Sequence, residues 1–530
     1  MTLPASARRS SRNRKESAAA PRLTAGPRRG RGRVTSSSLH VTGFALVVSG
    51  LGMALSALVD LLTVPDDLGP LTVGALVSGG VGAVLWWFTR PRVRSTPATA
   101  FVTVTLAWAV LGVAGAIPFW VAGTFAHWDD AIFETVSGFT ATGATVLSPI
   151  EGTGQGLLFW RSLTQWLGGI GVVVLALSVL PHFGVGGLSL LAAEAPGPEA
   201  ERLAPRVQST AKLLLRVYVL ITGLVIAGLL GGGLSIYDAA THAFTAVSTG
   251  GFSPYDASIA HFDSLWVEGV LIAGMLAGAI NFALHWRVFT GRGPSVYWRS
   301  SEARAFGLLV IASTAFVTIL VAGDLGWAEG LRESAFQVVS VVTTTGFATA
   351  DFTRWAAAAQ LVLVALMISG SMTGSTSGAL KVMRVQVVSR VALRHVRRAL
   401  APRGVFVIRH DGRAVDEEVV GRVVALVQAY IVMVVAGMLA VTMLGSPIDE
   451  ALGAVATSIG GVGPGLGRAG PAGNFLVFTR PARAVLVVLM IVGRLEVFPV
   501  LLTAAVAWRG VRDGTRHRVR HVVDRLRLLR

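Results

Sequence analysis

Long apolar runs alternate with short polar links along most of the chain. Ten runs reach the roughly 20 residues that a helix needs to cross the hydrocarbon core of a bilayer. They lie at about 41–63, 69–89, 100–124, 158–181, 209–232, 263–286, 305–323, 357–384, 421–445 and 481–507. This pattern predicts an all-α integral membrane protein with ten transmembrane segments.

Four shorter segments, one after each odd-numbered run from the third onward, share a pattern. They read DAIFETVSGFTATGA, DAATHAFTAVSTGGF, ESAFQVVSVVTTTGF and EALGAVATSIGGVGP. When they are aligned on one glycine, an acid stands 13 residues upstream and a hydroxyl residue 6 residues upstream in all four. The glycines are Gly143, Gly251, Gly346 and Gly463, the acids Asp130, Asp238, Glu333 and Glu450, and the hydroxyl residues Ser137, Thr245, Ser340 and Thr457. A unit of span, short segment and span therefore occurs four times.

Each short segment offers about ten helix-forming residues, too few to cross a membrane. We expect a re-entrant helix, with the acid at its positive N-terminal end, followed by an irregular turn. Irregular backbone at membrane depth is tolerated where it is buried in protein or lines a watery path. Four such turns around one axis would offer carbonyl oxygens in place of a cation's hydration shell. The alternative is that these small residues serve only close helix packing.

The repeats predict the domain organisation. A two-helix hairpin at 40–95 precedes four membrane-pore-membrane repeats around a central pore, at 96–205, 206–300, 301–415 and 416–507. A disordered basic tail at 1–39 and a second basic tail at 508–530 flank this core.

The distribution of charge predicts the orientation of the chain in the membrane. The 530 residues are 53% hydrophobic and 14% charged, with a formal net charge of +17. Arginines concentrate in both tails and in the links at 90–94, 287–304 and 381–409, which share one side if ten spans alternate. The positive-inside rule then places both termini in the cytoplasm. This distribution fits contact with anionic membrane lipid and argues against a nucleic-acid partner.

Several kinds of chemistry find no support in the sequence. The chain has no cysteine, which excludes disulfides and thiolate metal sites. It contains neither an HExxH motif nor a P-loop lysine motif, so we expect neither an enzyme nor a bound cofactor.

The eighth apolar run is interrupted by SGSMTGSTSGALK, residues 369–381. Gly370, Gly374 and Gly378, with hydroxyl residues between them, predict a break in the helix; a close-packing kink is the alternative. Arg494 lies within the last apolar run, at a cost of a few kcal/mol unless it is paired or faces water. We favour a pore-facing electrostatic barrier over an arginine satisfied only by loop carbonyls, and both roles are compatible.

These motifs resemble the TrkH/KtrB superfamily of potassium transporters, and its TrkH branch in particular. The resemblance runs from about residue 40 and includes FETVSGFTATGATVL, FWRSLTQWLGGIGVVVLALSVLP, AEAPGPEAERLAPRVQSTAKLLLRVY, VSTGGFS, VVTTTGF, GVGPGLG and GRLEVFPVL. It implies potassium uptake across a bacterial inner membrane by a homodimer. It also implies gating by a separate, TrkA-like cytosolic nucleotide-binding ring. The alternative is a potassium symporter coupled to protons or sodium, or a less selective potassium and sodium carrier.

The resemblance also implies site residues. The potassium-binding filter falls on Thr142, Gly143, Thr249, Gly250, Gly251, Thr345, Gly346, Val462 and Gly463. The gate falls on Gly370, Gly374, Gly378, Lys381 and Arg494. Glycine at position 143, where sodium-favouring relatives tend to have serine, indicates potassium. Gly461 stands where the family usually has asparagine and Ala141 where threonine is common, and both departures predict looser selectivity.

Overall fold

The structure is a computed structural model that describes residues 31–89, 97–178, 203–505 and 508. Most of both predicted tails, the predicted link at 90–94 and residues 179–202 of the first predicted repeat lie outside these ranges. The first helix begins at Arg31, nine residues before the predicted start of the hairpin, so residues 31–39 are helical where the sequence predicted a tail. The division of the chain into tails, hairpin and repeats stays a prediction.

The described chain is predominantly helical. In order, the helices are α1 (Arg31–Leu62), α2 (Leu68–Phe88), α3 (Pro97–Gly115), α4 (Ile117–Val121), α5 (Trp128–Phe139), α6 (Gln155–Ser178), α7 (Leu203–Gly231), α8 (Ile236–Val247), α9 (Leu265–Ala279), α10 (Phe282–Arg287), α11 (Ser295–Arg299), α12 (Ser301–Leu325), α13 (Trp327–Val342), α14 (Ala357–Ser369), α15 (Val382–Leu400), α16 (Glu417–Met443), α17 (Ile448–Gly460), α18 (Arg480–Arg494) and α19 (Phe498–Ala505). Between α15 and α16 lies a two-stranded antiparallel hairpin of β1 (Arg409–His410) and β2 (Arg413–Ala414).

Among the described residues, six helices are long and apolar enough to cross a membrane: Ser36–Leu62, Leu68–Phe88, Ala100–Val121, Ala211–Gly231, Ser301–Leu325 and Glu417–Met443. Two bent pairs raise the number to eight if each is one span: α9 with 282–292, bent by 100°, and α18 with α19, bent by 113°. The chain is thus a multi-pass membrane protein. The eighth predicted run contributes an apolar helix of only 13 residues, because α14 ends at the predicted break. The count of ten spans stays a prediction.

The outside of this assembly is apolar, whereas its centre is mixed. Leu51, Leu58 and Leu62 on α1 are exposed, as expected of side chains that face lipid. Helices α1 and α2 pack closely through small residues, since a Cβ on Gly50 would lie 2.7 Å from the main-chain nitrogen of Gly79. Helices α1 and α2 therefore form a tightly packed pair.

Four short helices, α5, α8, α13 and α17, occupy the centre, and their C-terminal halves are buried. They contain 12, 12, 16 and 13 residues, too few to cross a bilayer. Asp130, Asp238 and Glu450 lie in the first turns of their helices, as predicted. The prediction is wrong for Glu333: α13 starts earlier, at Trp327, so Glu329 is the acid in its first turn.

Candidate functional site

All four short helices end in the same backbone turn. We call residues 141–143, 249–251, 344–346 and 461–463 glycine turns 1 to 4. The first residue of each turn has a positive φ: 50° at Ala141, 54° at Thr249, 60° at Thr344 and 70° at Gly461. The aligned glycine also has a positive φ: 83° at Gly143, 76° at Gly251, 86° at Gly346 and 106° at Gly463. Glycine adopts this conformation without the steric cost that other residues carry.

Each turn is bonded to its own helix through the repeated hydroxyl residue. The N–H of the middle residue of the turn donates to the carbonyl five residues upstream, which caps the helix C-terminus. The pairs are Thr142 to Ser137 and Gly250 to Thr245 and Thr345 to Ser340, each at 2.8 Å, and Val462 to Thr457 at 3.0 Å. The repeated hydroxyl residue therefore marks the carbonyl that anchors each turn.

The aligned glycines bring the four turns together. A Cβ on Gly143, Gly251 or Gly346 would lie less than 3.0 Å from a main-chain oxygen of the following turn, and one on Gly463 would lie 3.0 Å from an oxygen of turn 1. These oxygens belong to the residue before the aligned glycine: Gly250, Thr345, Val462 and Thr142, respectively. The contacts run from turn 1 to 2, 2 to 3, 3 to 4 and 4 back to 1. The turns thus form a closed ring, which we call the glycine ring.

The nine residues predicted as filter all lie in this ring. A cavity of about 130 Å³ adjoins the four aligned glycines and is also lined by loop residues that follow the turns, including Tyr255, Asp256 and Asn474. The threonine hydroxyls of turns 1 and 3 bond behind the turn: Thr142 to Thr140 and Thr345 to Thr343, both at 2.8 Å. These two hydroxyls therefore bond within the protein.

Helix α6 supports the ring with side chains that sequence reasoning missed. The Arg161 Nε lies 2.6 Å from a Glu134 carboxylate oxygen, and its Nη1 donates to the Ser253 carbonyl at 2.8 Å. Gln165, one helical turn further, donates through Nε2 to the Gly250 carbonyl at 2.7 Å and accepts from the Phe252 N–H at 3.0 Å. The available signal was two strongly polar residues, four apart, in an otherwise apolar run.

The chain between α14 and α15, residues 370–381, forms an irregular loop, so the predicted helix break is present. Gly370 and Gly374 have φ values of 65° and 78°. The Thr376 hydroxyl is 3.0 Å from the Val247 carbonyl, and the Gly378 N–H donates to the Thr344 hydroxyl at 2.9 Å. A Cβ on Gly378 would also clash with the main-chain oxygen of Gly460. The 370–381 loop therefore lies against the C-terminal ends of α8, α13 and α17, directly beside the glycine ring.

Two buried cations meet this loop. The Lys381 Nζ donates to the Ser377 carbonyl and, at 2.9 Å, lies near the Ser377 hydroxyl. The Arg494 Nη1 donates to the Thr376 carbonyl at 2.7 Å, while its Nε and Nη2 have no partner in the part of the chain that the structure describes. Arg494 ends α18, and Glu496 beyond it pairs with Arg384 instead. A loop carbonyl thus accepts a hydrogen bond from one nitrogen of Arg494. This contact is compatible with the predicted role of Arg494 as a barrier.

One further carboxylate holds the loop. Buried Glu302, near the start of α12, accepts the N–H of Thr373 at 2.7 Å and the N–H of Met383 at 3.2 Å. One oxygen therefore ties the middle of the loop to the first turn of α15. No pattern in the sequence indicates this contact, because the bonded residues lie 71 and 81 positions from Glu302.

Comparison with known proteins agrees with this arrangement. Residues 72–509 match the model of the TrkH family, described as cation transport protein. The chain belongs to the TrkH family. It is 34% identical over 482 residues to the Trk system potassium uptake protein TrkH of Salmonella typhimurium, covering 89% of this chain and 98% of that protein. The TrkI protein of Halomonas elongata is 33% identical over 480 residues, covering 89% of this chain and 96% of that protein.

A solved structure extends the TrkH likeness to three dimensions. The crystal structure of the potassium transporter TrkH from Vibrio parahaemolyticus superimposes with a TM-score of 0.81 at 32% identity, covering 88% of this chain and 98% of that one. The family and the relatives are named as transport proteins, so the expectation of a non-enzyme is confirmed. The expected resemblance to the TrkH branch is confirmed as well.

Proposed function

We propose that this protein takes up potassium through a pore whose selective part is the glycine ring. The observation that carries this proposal is the closure of four equivalent turns on one another, each with an aligned glycine at positive φ. Carbonyl oxygens presented by such turns replace the hydration shell of a potassium ion. The relatives named as potassium uptake proteins support the choice of ion.

In this proposal Thr142, Gly143, Thr249, Gly250, Gly251, Thr345, Gly346, Val462 and Gly463 supply the potassium sites. Four membrane-pore-membrane repeats then surround the pore, with the N-terminal hairpin outside them. Hairpin and repeats together would have ten transmembrane segments in the inner membrane, with both termini in the cytoplasm. Potassium is the transported substrate.

The 370–381 loop is proposed as the gate. Gly370, Gly374 and Gly378 would let it move, and Lys381 would anchor its end. Arg494 would oppose cation passage, since an unpaired charge in a low-dielectric region acts strongly on a nearby ion. Support comes from the contact of the loop with three pore helices and from the two nitrogens of Arg494 that have no partner among the described residues.

The assembly belongs to the same proposal. We expect a homodimer controlled by a TrkA-like cytosolic nucleotide-binding ring, with anionic lipid against the basic segments. The test is potassium uptake by a transport-deficient bacterium that expresses the chain with and without candidate cytosolic subunits. Uptake that is independent of every such subunit would contradict the gating partner.

The transport mode is tested with the full-length protein in liposomes. We expect currents that reverse at the potassium equilibrium potential and exceed those of protein-free liposomes. A reversal potential that shifts with pH in fixed stoichiometry would establish a proton-coupled symporter instead. An absence of potassium flux under all gating conditions would overturn the proposed function.

A further inference from the structure

Gln165 belongs to the first repeat by sequence, yet its side chain serves turn 2. The side chain is completely buried. Its amide nitrogen donates to the Gly250 carbonyl at 2.7 Å, and its amide oxygen accepts from the Phe252 N–H at 3.0 Å. Gly251, the aligned glycine, lies between these two partners. A single amide therefore fixes the main chain on both sides of the aligned glycine.

Turn 2 differs from the other turns at the residue before the aligned glycine. That residue is Thr142 in turn 1, Thr345 in turn 3 and Val462 in turn 4, but Gly250 in turn 2. Gly250 is not among the residues with a positive φ, so its backbone does not require glycine. A Cβ on Gly250 would instead lie less than 3.0 Å from the Gln165 amide group. Gln165 therefore fills the space that a Cβ at this position would need.

The Gly250 oxygen has a second role. It is the atom that a Cβ on Gly143 would meet, so it forms the contact between turns 1 and 2 in the glycine ring. A donor that fixes this oxygen also fixes one quarter of the ring. A buried carbonyl that loses such a donor shifts or remains unsatisfied.

We propose that Gln165 is a specificity-determining residue: it positions the turn 2 carbonyl of Gly250 and thereby sets the preference for potassium over sodium. This inference rests on the proposed function of the glycine ring. Gln165 acts on the ion through the main chain of turn 2 and is a positioning residue.

The test compares potassium and sodium uptake by full-length variants in liposomes. Gln165→Met keeps the length of the side chain but removes both hydrogen bonds, and Gln165→Glu removes only the donor to Gly250. We expect the potassium preference to fall about tenfold in each, because both variants lose the hydrogen bond to the Gly250 carbonyl. Gln337→Met is the matched control, because Gln337 is equally buried but donates to the Ala350 carbonyl, outside the ring.

An unchanged preference in either folded Gln165 variant would overturn the inference, and so would an equal loss in Gln337→Met. A wild-type protein without potassium preference would overturn the proposed function instead. If neither Gln165 variant folds, Gly250→Ala decides the question. We expect the added Cβ to displace the Gln165 amide and to lower the potassium preference about tenfold, because the Gly250 carbonyl loses the same donor. An unchanged preference in Gly250→Ala would overturn the inference.

Discussion

The glycine ring and the 370–381 loop touch each other, but they are held in different ways. Each turn of the ring is anchored by a main-chain bond to its own helix, only five residues away. The loop is bonded to distant segments, both by main-chain bonds such as that from the Thr376 N–H to the Gly278 carbonyl at 3.2 Å and by the side chains of Glu302 and Arg494. Main-chain anchors between residues five positions apart form with the helix itself. The ring is therefore anchored locally, whereas the position of the loop depends on contacts between distant segments.

The two regions also differ in the polar groups that lack a partner. The N–H of the middle residue of each turn has a main-chain acceptor in all four copies, while the hydroxyls of Ser137, Thr457 and Ser458 are buried without a partner among the described residues. Around the loop, the groups without a partner among the described residues include the charged Nε and Nη2 of Arg494. A buried polar group without a partner costs about 1–3 kcal/mol, and more where the group is charged. The larger cost therefore lies at the guanidinium beside the loop.

The largest effect is expected from Gly346→Ala, in the glycine ring. The new Cβ would meet the Val462 oxygen, and φ at this position is 86°, so we expect potassium uptake to fall to background. Uptake by cells that express equal amounts of protein measures this. Gly123→Ala is the matched control, with a φ of 70° but no atom within 4 Å of the added Cβ. Equal loss in both variants would assign the effect to backbone strain and not to the ring.

Gly143→Ser tests the ring more gently. The side chain would displace the Gly250 oxygen, which we expect to lower the preference for potassium over sodium by about thirtyfold, or roughly 2 kcal/mol. Competition between the two ions in an uptake assay measures it. Gly291→Ser is the matched control. Gly291 also has a positive φ, 87°, but it lies in open space, so we expect this variant to keep the wild-type preference. Identical ion preference in Gly143→Ser would show that the filter assignment is wrong.

Arg494→Ala addresses the loop. It removes the charge and the bond to the Thr376 carbonyl, so we expect cation flux in liposomes to rise about tenfold, equal to a barrier lowered by about 1.4 kcal/mol. Arg494→Lys keeps the charge and should leave flux close to that of the wild type. Unchanged flux in Arg494→Ala would count against a barrier at this position.

The sequence predicted the features that local contacts hold and missed those that depend on distant segments. The four turns were predictable because their anchors are local, so the spacing from Ser137 to Gly143 recurs in every copy. The positive φ of Ala141 and Thr249 was not predictable, since neither residue type prefers a positive φ. The order of contacts around the ring and the bonds of Gln165 and Glu302 join distant segments. No local pattern encodes such pairs. For Gln165, the only signal was a polar side chain within an apolar run.

The smallest effect is expected from Glu302→Gln. Both loop bonds use the same carboxylate oxygen, and a glutamine oxygen can accept them as well, but as weaker neutral hydrogen bonds. The loop should then leave its position more often, and we expect cation flux to rise only about threefold.

Asp411→Asn separates this effect from a general loosening of α12. Asp411 accepts the N–H of Ser301, directly before Glu302, but that bond reaches no residue of the loop. If both variants raise flux equally in the same liposome assay, the start of α12 as a whole supports the loop. If only Glu302→Gln does, the carboxylate itself holds the loop. The carboxylate would then be a charged acceptor, remote in sequence, that adds to the main-chain bonds of the loop, whereas each turn of the ring is held by a bond to its own helix.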